Sequence, residues 1–325
     1  MITTTWYLTR DVASTLIGAA VLAPSSHNTQ PWVFRVRDPY IDLLADRTRA
    51  LPANDPDDRE LTISCACALF NLRVAAAHAQ LACTRKAPPD PADPDCLATL
   101  ELAPATAPDT SLAALFDAVA LRRTYRRTFT DRPVTADVLD ALAEATSREG
   151  AWLHILDSSA QRHQAAELVA EGDEDQWADP AWRRELAAWM HPRRLGDGLT
   201  LPGLTLPIAQ AVVRTFDMGY GVAARDIQLA DASPVLAVLG TPGDALADWI
   251  AAGQALQRLL LTAHLHGLQA SYLNQPIQMA PLRTKLRQLT GRTGFAQILL
   301  RLGYAEGEVP ATPRRPLEEV IEIDE

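Results

Sequence analysis

The chain has 325 residues, 48% of them hydrophobic and 22% charged, enough to bury a large core and not the composition of a disordered chain. Its 30 basic and 40 acidic residues leave a formal charge of −10, which argues against general affinity for nucleic acid or an anionic membrane. An anionic ligand would need a local cluster of arginines.

The opening residues, MITTTWYLTRDVASTL, lack the apolar stretch of a secretory signal, and no run approaches ~18 unbroken apolar residues. The expectation is a cytoplasmic protein with no bilayer span. Cys65 and Cys67 lie two apart in a helical run, which fits neither a disulfide framework nor a C-x-x-C zinc pair. With Cys83 and Cys96 they are expected to be buried free thiols, and no metal site is expected.

In chain order, residues 11–22 read as a helix after a capping Asp11 or Ser14, ending before Pro24. SSHNTQ follows as a polar loop. Trp32, Phe34 and Val36 then alternate with Val33 and Arg35 in a strand, with 40–44 as its hairpin partner. Residues 59–81 are apolar nearly all round, a helix for the middle of the molecule. The Pro/Asp-rich segment 87–110 marks a connection between two halves, with 97–102 as a short strand inside it. A helix over 112–121 leads into RRTYRR, and 135–145 (helix) precedes 152–156 (strand). Residues 157–233, with Trp177, Trp182, Trp189 and a Gly-rich stretch at Met218–Val222, have no counterpart earlier. A buried strand at 235–239 and a helix at 246–267, stopped by Gly267, come next; 297–302 is the last strand.

The order helix–loop–Trp–strand occurs twice, at Trp32 and at Trp152, 152 − 32 = 120 residues apart. The two long helices also align, 250 − 63 = 187 residues apart: Ile63 meets Ile250, Leu69 meets Leu256, Leu72 meets Leu259 and Ala76 meets Ala263. Two apolar helices can match by period alone, but both echoes in the same order favour an internal duplication.

Four segments carry potential chemistry. Pro24-Ser-Ser-His-Asn-Thr-Gln-Pro-Trp32 packs hydroxyl, amide and imidazole groups into one loop, although composition alone also fits an Asn/Ser-rich connector. Arg122-Arg-Thr-Tyr-Arg-Arg127 offers planar donors for a phosphate, or equally a solvated basic helix end. Arg314-Arg-Pro316 is a second basic element, or an exposed tail, and Tyr272-Leu-Asn-Gln-Pro276 follows the second long helix. No G-x-G-x-x-G, P-loop, G-x-S-x-G or H-x-x-x-H pattern is present.

P-S-S-x-N-x-Q-P-W resembles the signature loop of the FMN-dependent nitroreductase family. Nearly the whole chain, including RELTISCACALFNLRVAA, SYLNQP and RLGYAEGEVPATPRRPLEEV, resembles the Acg-like branch of that superfamily, in which two fused halves imitate the family homodimer. The resemblance implies an α+β, nitroreductase-like fold with halves 1–110 and 111–325 and a lid over the flavin at about 170–215. It implies FMN contacts from Pro24, Ser25, Ser26 and Asn28, with His27 at the variable position and either solvent-facing or functional. Arg122, Thr124 and Arg126 fall on the family's R-x-S-x-R/K element, with Thr in place of Ser, and Arg123 lies between them. Arg314 and Arg315 resemble the basic pair that completes the phosphate site, and Asn274 and Gln275 occupy the place where the family lays backbone against flavin N5.

Each complete site needs a signature loop from one half and an arginine element from the other. The first half lacks R-x-S-x-R, and the second half's loop, Glu144–Trp152, lacks the proline and asparagine. One FMN per chain is therefore expected, in a monomer or weak dimer. The function implied is a flavin-dependent oxidoreductase served by NADPH or NADH and a small electron acceptor. The alternatives are a lid-covered protein that sequesters FMN, and a dehydrogenase acting on a tethered or peptide substrate.

Overall fold

The computed structural model describes residues 6–86, 92–192, 196–201 and 205–324. Helix α1 (Arg10–Ala20) starts on the Thr9 hydroxyl, which accepts a bond from the Val12 amide. Strands β1 (Trp32–Arg37) and β2 (Tyr40–Ala45) form the expected antiparallel hairpin, with Phe34 opposite Leu43. Helix α2 (Arg59–His78) is buried along almost its whole length. It is long and apolar enough to cross a bilayer, yet here it is the core helix. The helix expected to reach residue 81 stops earlier: Gln80 turns the chain at φ 57° and β3 (Leu81–Arg85) begins.

Strand β4 (Cys96–Pro104) lies between β2 and β3, so the short strand expected at 97–102 inside the connecting segment is longer, nine residues, and an interior strand of the first sheet. Residues 87–91 of that segment lie outside the described residues. The single helix expected at 112–121 is two, α3 (Thr110–Ala113) and α4 (Phe116–Leu121).

The second half opens with α5 (Ala136–Ser147) and β5 (Trp152–Ile155). The segment without a counterpart then contributes α6 (Ser159–Ala178), α7 (Pro180–Ala188), β6 (Met190–Pro192), β7 (Leu199–Leu201), α8 (Leu206–Thr215) and α9 (Gly219–Asp231). Strand β8 (Val235–Thr241) leads to α10 (Leu246–Leu265), beyond which Gly267 adopts φ 77°. The chain closes with β9 (Gln269–Tyr272), α11 (Gln275–Gln278), α12 (Ala280–Thr290), β10 (Phe295–Gly303) and β11 (Ile321–Ile323).

The first sheet runs β11-β1-β2-β4-β3 and the second β5-β8-β10-β9. Setting β11 aside, the strand orders correspond one to one, and every shared pairing is antiparallel. Helices α2 and α10 each have 20 residues and start 246 − 59 = 187 positions apart, the offset read from their apolar positions. The tight turn between β1 and β2 corresponds to the place where β5 and β8 are separated by α6–α9. The architecture is α+β, in two like halves.

Helices α2 and α10 cross closely. A Cβ on Gly253 would lie 2.3 Å from the Ile63 carbonyl oxygen and 2.5 Å from Ala66 Cβ. Beside the crossing, Gln257 donates to Asn71 Oδ1 at 2.7 Å and Asn71 donates to the Ala19 carbonyl at 3.1 Å, tying α10 and α2 to α1. Strand β11 pairs in parallel with β1, Ile321 beside Phe34, and so draws the C-terminal tail back to the loop before β1.

Candidate functional site

That loop has a backbone that side chains ordinarily avoid. His27, Asn28 and Gln30 all have positive φ, at 47°, 56° and 51°. Such residues cost on the order of 1–3 kcal/mol each and persist only where their surroundings hold them. Ser25 Oγ accepts from the Gln30 amide at 3.0 Å, and Ser26 Oγ donates to Glu60 at 2.9 Å. Asn28 Nδ2 donates to the Gly198 and Pro313 carbonyls at 3.4 and 3.3 Å. The buried Gln30 donates to the Gly196 carbonyl at 2.8 Å and accepts from the Arg315 amide at 2.9 Å. The loop is thereby clamped between α2, the C-terminal tail and the segment after β6.

It opens on a cavity of about 480 Å³. Pro24, Ser25, Ser26 and Asn28 line it on one side, and Arg122, Arg123, Thr124 and Arg126 on another. Asn274, Gln275 and Arg314 complete the expected residues present there. The structure brings together eleven of the twelve expected positions; Arg315 is not among the lining residues.

The guanidinium groups of Arg122, Arg123, Arg126 and Arg314 face the cavity without a carboxylate partner among the described residues. Arg122 donates to the Leu22 carbonyl at 3.3 Å and Arg123 to the Ala120 and Arg122 carbonyls, both at 2.8 Å. Arg122 is buried, yet its Nε and Nη1 have no partner, and neither has Arg123 Nε. Burial, then the charges of Arg122 and Arg123, lower Arg314 to about 9. Arg122 is buried, Arg123 and Arg314 are half-buried and Arg126 is exposed, and the vacant donors of Arg122 and Arg123 suit an anion.

Arg314 also has a structural task. Its Nε donates to the Val21 carbonyl at 2.7 Å and its Nη2 to those of Leu22 and Ala23, both at 3.1 Å, at the C-terminal end of α1. The expectation for Arg315 needs correcting. Its buried side chain turns away, donating to the carbonyls of Gln30 at 3.1 Å and Glu319 at 3.0 Å, with Asp46 3.6 Å away. It fastens the tail to the loop.

The side chains of Asn274 and Gln275 are engaged by protein. Asn274 accepts from the Leu299 amide at 3.0 Å and donates to Glu60 at 3.4 Å. Gln275 donates to Asp173 at 3.1 Å and to Asp226 at 2.9 Å. His27 lines the cavity, and burial pushes its imidazole down to about 4, so it is neutral at ordinary pH.

Glu60, Asp173, Asp226, Arg301 and Tyr272 also line the cavity, and the sequence reading did not single them out. Each is an isolated residue of common type within a helix or strand. Only Tyr272 carried a signal, because it opens the YLNQP segment; its hydroxyl has no partner and burial pushes it up.

From the segment between β5 and β8, Trp177, Trp182 and Leu186 reach the cavity. Trp182 Nε1 donates to Asn54 Oδ1 at 3.0 Å, and the Glu185 carboxylate accepts from the Ala53 and Asn54 amides at 2.9 and 3.0 Å. Helix α6 lies close on α11: a Cβ on Gly172 would be 2.8 Å from Gln275 Cβ. Residues 193–195 and 202–204 of the expected lid lie outside the described residues.

No family model matches the chain. A protein of Mycobacterium tuberculosis strain H37Rv, provisionally named NAD(P)H nitroreductase, is 34% identical over 324 residues, covering 97% of this chain and 92% of its own. A second protein of that strain, provisionally named NAD(P)H nitroreductase acg, is 29% identical over 323 residues, with 97% of each chain covered. A solved FMN- and NADPH-dependent nitroreductase from a Sphigopyxis strain overlaps 64% of this chain and 97% of its own, at 20% identity and a TM-score of 0.44.

Proposed function

This chain belongs to the nitroreductase superfamily, in its Acg-like branch, and from that premise we propose that it is an FMN-dependent oxidoreductase. The observation that carries the reading is the cluster of four arginines without carboxylate partners among the described residues, with vacant N–H donors on Arg122 and Arg123, around a cavity of about 480 Å³. Cofactor cavities have roughly 300–1,000 Å³, and a phosphate with a planar ring suits both this size and the vacant donors.

In this reading Arg122, Arg123 and Arg314 hold the phosphate of FMN. Arg126 faces the pyrimidine edge, and Ser26 and Asn28 close the loop side. Bound FMN supplies two-electron transfer, as hydride, through N5. The chain's residues bind, orient and shield it. Trp177 and Trp182 exclude water from one side, and the half-buried His27, its imidazole pushed down to about 4, adds no charge beside the ring. Residues 1–110 and 111–325 stand for the two subunits of a family dimer, residues 170–215 for a lid, and NADH or NADPH for the electron donor. The latching of α7 onto Ala53 and Asn54 favours a second reading, in which a closed lid stores the flavin with little turnover.

Anaerobic mixing of the flavin-loaded protein with NADH and with NADPH tests both. Bleaching of the flavin band within seconds supports the reductase, and persistence of colour supports storage. A protein that takes up no FMN defeats both.

A further inference from the structure

The cavity is lined by acids as well as by arginines. Asp173 on α6 and Asp226 on α9 are joined by one amide, the Gln275 side chain, which donates to them at 3.1 and 2.9 Å. That amide is the only side-chain donor bonded to Asp173 among the described residues. Asp173 is 2% exposed, and its second oxygen, Oδ2, has no partner. Gln275 Oε1 is likewise vacant. Both vacant atoms are acceptors, on residues that line the cavity. A buried acceptor without a donor costs free energy unless something fills it.

We propose that Asp173, Gln275 and Asp226 form a second subsite, on the α6/α9 side of the cavity, that takes the cationic or N–H-donating group of a planar acceptor molecule. Vacant acceptors call for a donor, and two carboxyl groups favour one that carries positive charge. Trp177, on the same helix as Asp173, lines the cavity beside them and suits a flat body. The inference rests on the flavin reading only in assigning the arginine cluster to the cofactor and these three residues to its reaction partner.

Two arginines that also line the cavity offset Asp226, and neither is among the influences on Asp173. From α9, Arg225 acts on Asp226, as does Arg301 on β10, while the influences on Asp173 are burial, the Asp226 charge and the Gln275 bond. Lys285 of α12 is paired with Glu171, Glu185 of α7 is held by two backbone amides, and Glu60 of α2 is satisfied by Gln278 and Ser26. Burial, then Asp226, raises the Asp173 carboxyl to about 7. A carboxyl raised above its unfolded value of 3.8 keeps its proton in the folded state after the unfolded chain has lost it. Folded stability therefore falls as pH rises from about 4 to 7, and the full cost stands above that range.

Benzamidine, benzamide and benzoate share one ring and differ in charge, so they probe the subsite without undergoing reduction. Calorimetry on the flavin-loaded protein at pH 8 should give benzamidine the tightest binding. Asp173→Asn should cut its advantage over benzoate roughly 10-fold or more, while raising the melting temperature more at pH 8 than at pH 5. Benzoate binding as tightly as benzamidine, or a ratio unmoved by Asp173→Asn, overturns the proposal. So does a loss of FMN affinity in Asp173→Asn matching the loss for benzamidine, which would assign the carboxyl to the flavin. A chain that never takes up FMN defeats the flavin reading instead, and its benzamidine-to-benzoate ratio still decides the subsite.

Discussion

Arg314 and Arg315 are neighbours of equal charge with unlike surroundings. Arg314 lines the cavity while capping α1, so its removal would disturb both ligand and helix. Arg122, with two vacant donors, is the cleaner probe of the phosphate. A charge-assisted bond is worth about 1.5–3 kcal/mol, so Arg122→Ala should weaken FMN roughly 10- to 150-fold and riboflavin little. Arg315→Ala should lower stability by about 1–3 kcal/mol through the carbonyls it leaves without a donor, with no preference between FMN and riboflavin. Titrations with both flavins and urea unfolding check the pair; selective loss of FMN in Arg315→Ala would return that residue to the phosphate. The sequence offered both arginines because an irregular tail has no period to say which side chain points inward. The loop motif was legible as a string, but its three positive φ angles were not, since none of those residues is glycine. The acids at 60, 173 and 226 were illegible for another reason: a lone carboxylate acquires meaning only from the neighbours that folding brings.

At the scale of elements, α2 and α10 were readable because they are apolar nearly all round over 20 residues. Strands β3, β9 and β11 were missed, being five, four and three residues long, too short for alternation to stand out. Packing of the two halves through the long helices was expected from their apolar pattern, but the point of closest approach was not legible, and Gly253 marks it. Alanine normally favours a helix over glycine by ~1 kcal/mol, but at 253 its Cβ would meet helix backbone at 2.3 Å. Gly253→Ala should destabilise by about 1–3 kcal/mol. Gly221, inside α9 with open space around it, gives the opposite expectation: Gly221→Ala should stabilise by roughly 0.5–1 kcal/mol. Denaturant unfolding of the two variants reads both signs, and equal effects would mean that α2 and α10 can part without cost.

For the whole molecule, the matching strand orders make one chain equivalent to a pair of subunits. Loop and arginine cluster meet within it, so flavin retention should not depend on self-association. We expect one FMN per chain, kept when sedimentation shows monomer alone; release of flavin in step with dilution would contradict this. The duplication was legible because helix period and strand order survive divergence, whereas the inserted α6–α9 region repeats nothing and could be placed only by exclusion. Strand β11 adds a matter of timing. Its partner on β1 lies 321 − 34 = 287 residues earlier, and Arg314 arrives on the same stretch. A growing chain can finish its first hairpin long before it possesses the residues that clamp the loop beside it. Contacts so distant in sequence close late. The arginine side of the cavity is then the last part of the molecule to exist, and on the flavin reading uptake of FMN by a freshly made chain should mark the end of its folding.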